Sequence, residues 1–135
     1  MTAISDVYII NTADKIEHRK TKHCVCISVS KNKWLIIDTE NRGYRNEMEI
    51  KSSNYEFLQG INRYVGCLFV YEFDESKVIK KVGNINYTDM TGIVEKLKSI
   101  KAKQTLIQLA DVIPELEAWL ANYQSNKLAD VFNKR

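Results

Sequence analysis

The sequence predicts a small, mainly β domain, a barrel or curled sheet followed by C-terminal helices, and three observations lead there. Short runs rich in Val, Ile, Tyr and Phe fill the first two thirds of the chain, and only one helical-looking stretch interrupts them. The hydrophobic period then lengthens near Tyr87 from about two residues to about 3.6. Too few helices alternate with the strands for a parallel α/β fold. Residues 1–86 are therefore expected to form the β domain, and residues 87–135 a helical segment packed on it.

Each element has its own signal. DVYIIN (6–11) is short, apolar and β-branched, which suits a strand. HCVCISVS (23–30) and KWLIIDT (33–39) are separated only by Lys31 and Asn32, which predicts a hairpin with a two-residue turn. NEMEIK (46–51) alternates, with Met48 and Ile50 on one face. SSNYEFLQG (52–60) reads as a short helical turn opened by serine and closed by glycine. RYVGCLFVYEF (63–73) is the longest apolar run and is expected to be the most central strand, and KVIKKVG (77–83) the last. Beyond them, Ile93, Val94, Leu97 and Ile100 recur at helical spacing in 88–103, with Thr88 as the expected N-cap. Two more helices are expected over 104–112 and 114–124, the latter with Pro114 in its first turn. The stripe Leu116, Trp119, Leu120 fits a core-facing side better than an interface.

Composition narrows the class. With 44% hydrophobic and 27% charged residues in 135, the chain can bury a core of its own. No window is long and apolar enough to span a membrane, and the N-terminus lacks the charged and apolar regions of a signal peptide, so a cytoplasmic location is expected. Cys24, Cys26 and Cys67 all lie in apolar company, which suits reduced, buried thiols better than a metal site. No phosphate-binding glycine loop, nucleophile elbow or metal-ligand run is present, and no cofactor is expected.

The net charge of +3 is modest, but its distribution is uneven. From residue 15 to 33, six cations (Lys15, Arg19, Lys20, Lys22, Lys31, Lys33) face one acid, Glu17, and both histidines, His18 and His23, lie in the same stretch. Such a patch suits a phosphate chain, although a solvated strand end would look the same. A two-residue turn at Lys31-Asn32 would set His23 opposite Glu40 and Cys24 opposite Thr39. That register would gather His18, Arg19, Lys22, His23, Thr39, Glu40 and Arg42 at one end of the sheet. The plainer reading of His23 and Glu40 is a cross-strand contact worth at most about 1 kcal/mol.

The order of "KHCVCISV", "WLIIDTENR", "IKSSNYEFL", "RYVGCLFVYEF" and "VGNINYTDMTGIVEKLKSI" resembles the PemK/MazF-like toxins, over roughly residues 5 to 101. The resemblance implies an SH3-like β-barrel with a C-terminal helix, often a homodimer, acting as a metal-independent endoribonuclease on single-stranded RNA and held in check by a small antitoxin. Lys22 and His23 stand where that family carries an Arg-Pro pair, and Thr39 where it carries a Ser or Thr. On this reading His23, Thr39, Glu40 and Arg42 are the catalytic candidates, and His18, Arg19, Lys20 and Lys22 the RNA-binding ones. Because the strand-opening arginine is absent, the alternative is a barrel that has lost catalysis and serves as an RNA- or protein-binding module.

Overall fold

Six antiparallel strands and two helices make up the fold in a computed structural model, which describes residues 2–13, 21–43, 46–103 and 112–133. The strands are β1 (Asp6–Asn11), β2 (Thr21–Ser28), β3 (Lys33–Asp38), β4 (Glu47–Ile50), β5 (Arg63–Gly66) and β6 (Val78–Asn84). They form one sheet in the order β4-β5-β3-β2-β1-β6. The fold is thus a small β-rich domain with α, as expected, but its ladder is open: β4 and β6 are edges, so the strands do not close a barrel.

Helix α1 (Tyr87–Lys103) and helix α2 (Ile113–Asn133) follow the sheet. On α1, Met90, Ile93, Val94, Leu97 and Ile100 are buried in the main core, each contributing about 1.5–3 kcal/mol by leaving water. They pack over Val7, Val25, Leu35, Ile37 and Val65 of the sheet. Leu116 is buried in the same core, with Trp119 and Leu120 packed against it, so this stripe faces inward. The N-cap of α1 is Asn86 rather than Thr88: its Oδ1 accepts from the Asp89 N–H at 2.8 Å. The expected helix over 104–112 lies outside the described residues except at Val112. α2 carries helical backbone to Asn133, past the expected end at residue 124.

The opposite face of the sheet holds a smaller core of Ile10, Cys24, Cys26, Trp34, Ile36 and Phe73. Its cover comes from Tyr71 and Phe73, part of the run 63–73 expected to form one central strand. Instead β5 stops at Gly66, and Tyr71 returns to make an isolated bridge with Trp34. The central strands are β2 and β3. Their long apolar runs belong to strands buried on both faces, whereas the run in 63–73 owes its length to a strand followed by a covering loop.

The β2–β3 hairpin turns through four residues, 29–32, not two. Asn32 takes a left-handed φ of 55°, which Asn tolerates at small cost, and its N–H reaches Val29 O at 3.3 Å. A register shift between Cys26 and Ser28 adds to the slip. The hairpin is tied to α2 by Glu115, which accepts from Ser28 Oγ and, at 3.3 Å, from the Ser30 N–H. Burial pushes the Glu115 carboxyl up, but these serine hydrogen bonds outweigh it and hold the pKa below the ordinary value.

Candidate functional site

The turn decides which residues meet. His23 stands opposite Ile37, and Cys24 opposite Ile36. The expected pairing of His23 with Glu40 and Cys24 with Thr39 is therefore wrong by three positions. An odd slip also changes which side chains share a face. His23 lies on the helix-covered face with Ile9 and Ile37, whereas Lys22 and Asp38 belong to the other face, and the proposed constellation splits in two.

On that other face Lys22 Nζ donates to Asp38 Oδ1 at 2.9 Å, with the two side chains only 9% and 6% exposed. Asp38 also accepts from the Thr39 N–H at 2.7 Å and lies 3.6 Å from Arg42 Nε. Burial pushes the Asp38 carboxyl up, but the Lys22 hydrogen bond and charge, the Thr39 N–H and Arg42 together hold it at about 2. Arg42 reaches Glu40 Oε2 at 3.6 Å as well, and its N–H is held by Glu47. Lys22, Thr39, Glu40 and Arg42 thus form a charge network around Asp38. The Lys22 ammonium is engaged there, not presented to solvent. His18, Arg19, Lys20 and Tyr44 lie outside the described residues.

His23 has different company. Its Nδ1 lies 3.2 Å from Arg63 Nη1, and its ring stacks on Phe57 at 6.0 Å between centroids and 19° between planes. A guanidinium only donates, so Nδ1 accepts, and the ring proton of the neutral imidazole sits on Nε2. Burial, then the neighbouring Arg63 charge, lowers the His23 pKa below its ordinary value, leaving the ring neutral at pH 7. Arg63 in turn has a buried Nε with no hydrogen-bond partner among the described residues.

His23 lines a cleft of about 440 Å³ with Ile9, Glu56, Phe57, Gln59, Lys80 and Val82, and Arg63 meets this lining through its contact with His23 Nδ1. Four segments supply the lining: β1, β2, the 3-10 turn at Glu56–Leu58 that follows another at Ser52–Asn54, and edge strand β6. Tyr55, between the turns, is buried and locks them to α1. Its hydroxyl donates to Asp89 Oδ2 at 2.5 Å and accepts from the Asn86 N–H at 3.2 Å. Gly83 lets β6 approach, because a Cβ there would stand 2.6 Å from Phe57 Cδ1. The cleft brings a neutral imidazole, in contact with the Arg63 guanidinium, together with the Lys80 ammonium and the Glu56 carboxylate, groups that can accept a proton and attract an anion.

Of the sequence candidates among the described residues, His23 alone lies at this cleft. Arg63, Phe57 and Lys80 were not singled out as site residues. Arg63 and Lys80 sit in runs that read as strands, and only the true register brings them to His23: Ile9 pairs with both His23 and Lys80, and Ile37 with both His23 and Val65. Comparison with known proteins adds no identification: neither a family model nor a curated protein matches the chain.

Proposed function

We propose that the chain is a metal-independent endoribonuclease of the PemK/MazF-like kind, acting on single-stranded RNA at the His23–Arg63 cleft. The observation that carries this reading is the direct contact between the Arg63 guanidinium and a neutral imidazole, His23, that lines an open cleft beside Lys80. A phosphate entering the cleft draws the Arg63 fork to its oxygens and releases His23 Nδ1. The freed Nδ1 takes the 2′-OH proton as O2′ attacks phosphorus. The P–O5′ bond breaks, and the departing O5′ takes a proton from the Lys80 ammonium. The products are a 2′,3′-cyclic phosphate and a 5′-hydroxyl, without any metal in the balance.

One observation favours the second reading, an RNA-binding module without catalysis: Arg63 occupies the very nitrogen that has to act as base. Purified chain incubated with single-stranded RNA in EDTA separates the two. Cleavage that leaves cyclic phosphate ends and vanishes in His23→Ala supports the nuclease, whereas RNA bound but intact favours the module. A cytoplasmic location and homodimeric assembly belong to the same proposal, as does a small antitoxin partner. Growth arrest on expression, relieved by His23→Ala, is the outcome expected of a toxin. No helix among the described residues is long and apolar enough to cross a membrane.

A further inference from the structure

The His23 cleft does not end at Phe57. A second cleft of about 420 Å³ shares Glu56, Phe57 and Val82 with it and runs on to Asn54, Asn84, Asn86 and Tyr123. The two form one groove, with His23 and Lys80 at one end, the Glu56 carboxylate on the shared wall, and carboxamides and aromatic surface at the other. Tyr123 of α2 is held in place by stacking on Tyr87, at 4.7 Å between centroids and 12° between planes, yet remains 41% exposed. Asn54 and Asn84 are exposed, and neither carboxamide has a hydrogen-bond partner among the described residues. Asn86 differs, since its Oδ1 already caps α1.

Resting on the RNA reading of the His23 cleft, we propose that the Asn54–Asn84–Tyr123 end of the groove is a nucleobase subsite, which seats a base flanking the phosphate held by Arg63. An unpaired base offers a flat ring and an edge that alternates donors and acceptors. Tyr123 supplies an aromatic surface for the ring, and each carboxamide presents one acceptor and two donors for the edge. Phe57 stands between the two ends as a divider, fixed by its stacking on His23 and by its fit against Gly83. Strand β6 joins the ends covalently, since Lys80 and Asn84 belong to the same strand. The α2 helix is thereby given a part in substrate selection besides packing.

The test uses the full chain and fluorescently labelled 2′-O-methyl oligonucleotides, which bind but are not cut, with an abasic oligonucleotide of the same length alongside. Wild type should bind the base-bearing oligonucleotide on the order of tenfold or more tightly than the abasic one, as expected for one stacked base. Asn84→Ala, at an exposed position whose loss leaves the core intact, and Tyr123→Ala should both narrow that ratio while leaving abasic affinity unchanged. Tyr123→Phe, which keeps the ring, should retain it. If wild type binds both oligonucleotides equally, the subsite is refuted while the phosphate cleft stands. If neither binds, the RNA reading of the cleft fails and the subsite falls with it.

Discussion

Removing the Asp38 carboxylate should expose the cost of the charge network that holds the start of β2 to the end of β3. In Asp38→Ala the Lys22 ammonium, 9% exposed, keeps its burial and loses the oxygen at 2.9 Å. Breaking a buried pair from one side costs about 3–5 kcal/mol, and the lower end applies here because the network lies at a sheet end with Arg42 partly in water. Proton linkage gives a second figure. A carboxyl held at about 2 instead of 3.8 contributes roughly 2 kcal/mol at neutral pH. The linkage figure is smaller because protonation leaves a neutral carboxyl that still hydrogen-bonds, whereas truncation leaves lysine with nothing. The sign follows from the depressed pKa: the contribution is complete above about pH 4 and is lost as pH falls through about 2. Urea unfolding followed by Trp34 and Trp119 fluorescence should therefore show a gap of about 3 kcal/mol between wild type and Asp38→Ala at pH 7, narrowing steadily below pH 4. A gap under about 1 kcal/mol at pH 7, or one indifferent to pH, would refute the reasoning.

Three further outcomes are expected. The three cysteines are free and buried, and burial raises all three thiols, Cys26 and Cys67 to about 12; native protein should therefore resist thiol titration, and denatured protein should yield all three. Gly83→Ala should cost about 1–3 kcal/mol in urea unfolding, since its Cβ would stand 2.6 Å from Phe57, and any RNA affinity should fall with it. Glu115→Ala should cost about 1–3 kcal/mol in thermal or urea unfolding by leaving the buried Ser28 hydroxyl without its acceptor.

What was legible in the sequence is the local part of the fold. The β1 segment matches DVYIIN residue for residue, and α1 starts within one residue of its expected start, because apolar spacing reports which face a segment buries. The long run in 63–73 misled for the same reason. Burial of Cys67 and Phe73 in two different cores looks, in one dimension, like burial of a single strand. The candidate site depended on something less local. Lys31-Asn32 is an acceptable two-residue turn, but a four-residue one is held by distant partners that spacing cannot show: Glu115, more than eighty residues away, holds Ser28 and Ser30, and the Phe73 carbonyl holds the Asn32 side chain. That slip moved Lys22 onto Asp38 and gave His23 a partner, Arg63, that no spacing in its own hairpin could indicate.

The central claim, that His23 and Arg63 form a working pair, is tested most directly by the pH dependence of RNA cleavage in EDTA. Because burial and Arg63 lower the His23 pKa, the base is already deprotonated at neutral pH, so the rate should stay level down to about pH 6.5 and fall only below it. His23→Ala should abolish the reaction, while Arg63→Lys, which keeps the charge but not the fork, should slow it and move the fall. RNA left intact at every pH, or cleavage that survives in His23→Ala, would contradict the account.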